Sequence, residues 1–143
     1  MPAFEYAFLC DYARVEANLA SVVGMNIDTI AAPSVPIGQN IGIGAAIRFT
    51  KAEAEEDVRV PFGFTVRHED EFVVTQFTGD VWATQRPDVD PDWPMIELIG
   101  INTGLYLPAY GRYEVQFALD GEPCGTLVFR VIPPDDSPSA DES

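Results

Sequence analysis

Apolar residues alternate with other residues at a period of two along much of this chain, which predicts β-strands. The clearest run lies at 41–50, where every second residue is apolar. Similar runs fill residues 3–13, 58–67 and 72–83. We expect each of these segments to be a strand that turns one face towards a core.

The last third of the chain predicts a terminal hairpin. An apolar run at 96–101 indicates a central strand, and the alternating runs 113–119 and 127–131 follow it. Between these two runs, Asp120 and Gly121 offer the positive φ angles of a tight turn. We predict one core formed by Phe8, Ile43, Ile47, Phe62, Phe64, Tyr113, Val115, Phe117, Leu127 and Phe129.

Residues 14–24 fit two kinds of element. The apolar residues from Val15 to Val23 would line one face of a short helix that ends at Gly24. Their β-branched side chains, however, favour a strand. We predict a strand from Leu19 to Ile30.

Seven or eight strands without a long helix predict an all-β fold, a two-sheet antiparallel sandwich. The segment 110–121, YGRYEVQFALDG, resembles the penultimate strand of immunoglobulin-like sandwiches, where a tyrosine follows a small turn. We assign residues 1–133 to this domain. Residues 134–143 are acidic, proline-broken and free of aromatics, so we expect a disordered acidic tail.

A second resemblance covers most of the chain. FLCDYARVE near the start and GLYLPAYGRYEVQFALDG near the end are similar to a family of small uncharacterised bacterial proteins. That family has an N-terminal LCD strand and a C-terminal G-x-Y strand that leads into a DG hairpin. The matching positions are Leu9, Cys10, Asp11, Gly24, Ile27, Ile30, Pro36, Gly111, Tyr113, Asp120 and Gly121. The resemblance implies a sandwich in a bacterial cytoplasm and attaches no activity to it.

The charge balance narrows the classes of partner. The 143 residues carry 23 acids and 8 bases, a formal net charge of −15. Nucleic acids and anionic membranes attract Lys and Arg, so we expect neither as a partner. The N-terminus lacks the basic start of a secretory signal, which predicts a cytoplasmic protein. No motif implies a cofactor.

Side chains that carry chemistry are few. Cys10 and Cys124 are expected to be free thiols, with Cys10 buried on an aromatic strand face. His68 is the only histidine, and its place at a predicted hairpin tip indicates a surface residue. We therefore name no catalytic residue.

The loop at 84–94 offers a candidate metal site. Asp88, Asp90 and Asp92 stand at the 1, 3 and 5 spacing of a calcium loop. Positions 6 and 12 hold Trp93 and Ile99 where such a loop needs Gly and Glu. A calcium-dependent binder or enzyme that uses this loop is the alternative to the function proposed next.

Two features suggest a module that binds a protein partner or copies of itself. Gly42, Gly44 and Ala46 leave one strand face nearly bare, and such a face is covered either by a neighbouring part of the chain or by another chain. Trp93 lies between prolines in a polar loop, where it anchors the loop on its own domain or on a partner. The sequence leaves both choices open.

Overall fold

The computed structural model describes residues 1–134, so the tail expected at 134–143 lies outside the described residues except for Pro134. Strands hold 63% and helix 4% of the structure, which confirms the all-β expectation. The strands are β1 Ala3–Cys10, β2 Tyr12–Glu16, β3 Leu19–Val23, β4 Thr29–Ala31, β5 Ile37–Phe49, β6 Val60–His68, β7 Val73–Val81, β8 Met95–Leu107, β9 Gly111–Leu119 and β10 Glu122–Ile132. One short helix, α1, spans Lys51–Glu55.

The strands form three sheets. One has the order β1-β5-β8, a larger one the order β4-β10-β9-β6-β7, and β2 pairs with β3 alone. Every pairing is antiparallel except that of β4 with β10, which is parallel. The expectation of a wholly antiparallel fold is therefore wrong for this pair, because the three-residue β4 runs along the edge of the last strand in the same direction.

Ten strands replace the seven or eight expected, because the first two segments are divided. The run 3–13 ends as a strand at Cys10, and β2 begins after Asp11. β2 then turns back as β3 through Ala17 and Asn18, whose φ angles of 52° and 57° suit a tight hairpin turn. The second predicted strand, Leu19–Ile30, is likewise divided, into β3 and β4. Residues 14–24 form strands on both sides of a turn and not a helix.

The one helix lies in the charged segment that follows β5. The Thr50 hydroxyl accepts from the Glu53 backbone N–H at 3.1 Å, and the Glu53 carboxylate accepts from the Thr50 N–H at 2.8 Å. This reciprocal pair is a capping box, which satisfies two backbone donors at a helix start.

The two larger sheets share one core. Eight of the ten predicted core residues are buried in this core: Ile43, Ile47, Phe62, Phe64, Tyr113, Val115, Phe117 and Phe129. A ninth, Leu127, is partly buried against it. Phe8 lies instead in a small separate cluster with Cys10 and Ala13. The register of β1 shifts between Phe4 and Tyr6, and this bulge turns Phe8 to the opposite face while Leu9 enters the main core.

Candidate functional site

The small-residue face of β5 is filled by the chain itself. A Cβ atom added to Gly44 would lie 2.2 Å from Cζ of Phe8, and one added to Gly42 would lie 2.6 Å from Sγ of Cys10. Gly42, Gly44 and Ala46 are all buried. Their proposed role as a partner surface is corrected: the face is bare so that side chains of β1 can lie on it.

Two asparagines hold the β2–β3 hairpin against the same sheet. The Asn102 amide accepts from the Ala13 N–H at 2.9 Å and donates to the Ala13 carbonyl at 2.6 Å. At the hairpin turn, the Asn18 amide donates to the Ile96 carbonyl at 2.6 Å and accepts from the Leu98 N–H at 2.9 Å. Each side chain thereby pairs with backbone as an added strand would.

The sequence did not predict that the β2–β3 hairpin packs on this sheet. Gly100 of β8 lies under Val15, which would stand 3.1 Å from a Cβ at that position. The signal in the sequence is weak, because an asparagine in a strand has no fixed partner and Ala17–Asn18 is not a strong turn pair. The hairpin and its asparagines serve the fold.

The acidic loop between β7 and β8 shows no metal geometry. Asp88, Asp90 and Asp92 are all exposed. Within residues 1–134, no group of three or more His, Cys, Asp or Glu side chains is placed to hold a metal ion. The spacing of the three aspartates along the chain is not matched by convergence in space.

This loop is fastened at its middle. Lys51 Nζ donates to the Val89 carbonyl at 2.7 Å and to the Pro87 carbonyl at 3.4 Å. The Val89 side chain packs against the main core. The anchor that the sequence left open is therefore Val89 together with Lys51.

Trp93 takes no part in that anchor and remains 53% exposed. Its backbone N–H closes a turn on the Asp90 carbonyl at 3.0 Å. Beside the ring lies an open hollow of about 400 Å³, lined by Met1, Arg48, Thr50, Pro91, Trp93 and Pro94 among others. Lys51 and Val89 thus fix the middle of the loop, while the side chain of Trp93 faces solvent.

His68 is not a surface residue, which corrects the expectation from its hairpin position. Its side chain is buried, stacked on Phe72 at 4.5 Å and edge-on to Tyr113 at 4.7 Å. Nδ1 accepts from the Asp70 N–H at 3.1 Å, and Nε2 lies 2.8 Å from the Tyr110 carbonyl. These contacts require the neutral ring to carry its proton on Nε2. Both nitrogens are thus occupied by backbone.

The two thiols fit the expectation made from sequence. Both are free, and Cys10 is fully buried while Cys124 is partly buried. Burial raises the pKa of Cys10, and burial also raises the pKa of Cys124. A raised pKa leaves little thiolate at neutral pH, so neither thiol is prepared as a nucleophile.

Comparison with known proteins gives a family and little else. The model of a family described as a family of unknown function matches residues 5–132. No curated protein matches the chain. Among residues 1–134, no helix is long and apolar enough to cross a membrane.

The solved structures that resemble this chain include the Pseudomonas fluorescens alkylpurine DNA glycosylase AlkC bound to DNA containing an abasic site analog. The identity is 11% and the TM-score 0.40, over 88% of this chain and 30% of the glycosylase chain. The expectation that nucleic acid is not a partner, made from the charge balance, is corrected: this similar protein is bound to DNA, and the expectation is not retained. At this TM-score the similarity carries no argument about what this chain binds.

Proposed function

The chain belongs to this family of unknown function (DUF6941), which assigns no activity, and we propose from its geometry that it is a non-catalytic protein-interaction module. The partner docks on the hollow beside Trp93. The domain is an immunoglobulin-like sandwich that works in the cytoplasm. One observation carries the proposal: Trp93 stands exposed on a loop that other residues hold in place.

The strand order supports the immunoglobulin-like assignment. If β1, β5, β6, β7, β8, β9 and β10 correspond to strands A, B, C, C′, E, F and G, the sheets read ABE and GFCC′, close to the variable-type arrangement. The hydroxyl of Tyr113, near the start of β9, donates to the Ala109 carbonyl at 2.6 Å. A tyrosine at this point of strand F that bonds backbone just upstream is a tyrosine corner.

The side chains that could have carried catalysis support a binding role instead. His68 has both ring nitrogens engaged by backbone. The cysteines lack a thiolate-forming environment, because burial raises the pKa of each. Nucleophilic catalysis needs an activated group next to a base. These residues pack against their neighbours, and His68 also makes hydrogen bonds to backbone groups.

The chemistry around Trp93 defines the partner. A tryptophan buries a large apolar area on docking and is the residue most enriched at binding hot spots. Three exposed carboxylates, Asp88, Asp90 and Asp92, lie in the same loop. The partner is therefore a protein with an apolar pocket for the indole, surrounded by Lys or Arg. Such a charge-assisted contact weakens as salt is added.

A capture experiment tests the proposal with a matched control. Immobilised wild type, Trp93→Ala and Trp82→Ala are exposed to the same cell extract, and the captured proteins are quantified. Trp82 is also an exposed tryptophan, at 45%, but lies elsewhere, under the Arg59 guanidinium at 4.3 Å. Proteins held by wild type and Trp82→Ala but lost by Trp93→Ala support the proposal. Equal capture by all three baits contradicts it.

A further inference from the structure

Strand β7 is an edge of the five-stranded sheet, and its pairing with β6 is regular from Val81 to Thr75 and bulged at Val74. Within residues 1–134 it pairs with β6 on one side and has no strand on the other. Its segment 73–79, VVTQFTG, contains no charged residue and no proline. Edge strands usually carry lysine, proline or inward-facing charge, because a bare edge pairs with other chains.

The core behind this edge is incompletely covered. Phe77 faces inwards and stacks on Phe64 at 5.5 Å, yet it remains partly exposed. On the strands further into the sheet, the inward Val66 and Val115 are fully buried. A strand added beside β7 would place its own inward side chains next to Phe77 and close this side of the core.

We propose that the added strand is β7 of a second copy of this chain, paired antiparallel about a two-fold axis. A two-fold contact requires a surface that complements itself. When the axis passes through Gln76, Phe77 of each copy lies opposite Thr75 of the other, within the regular part of the strand. The large Phe77 side chain then meets a small polar one on the same face of the joined sheet.

Charge also permits this pairing. The nearest acids on the chain are Glu71 and Asp80. Both acids lie outside the regular segment 75–79, in which the copies pair about an axis at Gln76 or at Phe77. The two copies, each with a net charge of −15, therefore meet along an uncharged strip.

The sheet surface next to β7 extends this strip. A shallow hollow of about 290 Å³ is lined by Gly63, Thr65, Gln76, Thr78, Gln116 and Ala118 among others, and no lining residue is charged. The surface beside the paired segment 75–79 therefore adds no ionised group to the contact. The contact is separate from the tryptophan loop, so a Trp93→Ala variant is expected to pair as wild type does.

Light scattering coupled to size-exclusion chromatography tests the pairing over a concentration series. We expect the mass of wild type to rise from one chain to two and then stop, because the two-fold contact uses up the free edge. Added salt is expected to raise the dimer fraction by screening repulsion between the acidic copies. Hydrogen exchange should show protection of residues 73–79 that increases with protein concentration.

The double variant Gln76→Glu/Thr78→Glu should remain a monomer, since like charges face each other or are added at the centre in either register. Its matched control, Asn40→Glu/Thr126→Glu, makes the same change of charge at exposed positions on β5 and β10, which lie outside the proposed contact. The control should dimerise, and circular dichroism confirms that each variant is folded. The proposal is overturned if wild type stays a monomer with no concentration-dependent protection at 73–79, or if it assembles beyond two chains. It is also overturned if the Gln76→Glu/Thr78→Glu variant dimerises as wild type does, or if both variants fail to dimerise.

Discussion

Replacing Gly44 with alanine tests whether β1 covers the small-residue face in solution. The new Cβ would lie 2.2 Å from Cζ of Phe8 and within 2.7 Å of both Cε atoms, so the ring has to move. Overpacking of this kind costs about 1–3 kcal/mol. Removing a glycine from a strand returns about 0.5–1 kcal/mol. We expect a net loss of about 1–2 kcal/mol, or roughly 3–7 °C in Tm for a chain of this size.

Thermal and denaturant unfolding followed by circular dichroism measures this loss, with Gly38→Ala as the matched control. Gly38 lies on the same strand, and nothing stands within 4 Å of a Cβ there. Its substitution should leave stability unchanged or slightly higher. A second change, Phe8→Leu, removes the three ring atoms that clash, so the double variant should lose less than the sum of the single losses. If Gly44→Ala is as stable as Gly38→Ala, Phe8 does not occupy this face.

Three further outcomes are expected. Asn102→Ala should destabilise the fold by about 2–4 kcal/mol in denaturant unfolding, because it leaves the N–H and C=O of Ala13, which is 2% exposed, without their partner; unchanged stability would contradict the hairpin anchor. Tyr113→Phe should cost about 1–2 kcal/mol by the same measurement, since it removes only the hydroxyl bonded to Ala109. In native protein at neutral pH, a thiol reagent should leave Cys10 unmodified and react slowly with Cys124, while both react at once after unfolding; rapid native labelling of Cys10 would show that its burial is wrong.

Strands with strict alternation were predictable from sequence. In β5, β6 and β9 every second side chain enters the core, so burial itself imposes the period of two. The hairpin β2–β3 was ambiguous because most of its residues are exposed and burial imposes little pattern on them. The bulge in β1 was invisible because the sequence keeps alternating while the strand changes face.

The candidate site was predictable only in part. Trp93 could be singled out from sequence because its loop is otherwise polar. Lys51, which anchors the loop, could not, because it lies far from the loop in sequence. The spacing of Gly42 and Gly44 indicated close approach without naming what approaches. His68 was misjudged because a hairpin tip is normally exposed, whereas Phe72 and Tyr113 enclose this ring.

The affinity of the captured protein for wild type and for Trp93→Ala measures the proposed binding role most directly. Titration calorimetry with the purified partner should show at least about thirtyfold weaker binding for the variant, the loss of roughly 2 kcal/mol that defines a hot spot. Denaturant unfolding of Trp93→Ala should show nearly unchanged stability, because Val89 and Lys51 hold the loop. Equal affinities, or a loss of binding that merely follows a loss of stability, would contradict a docking role for Trp93.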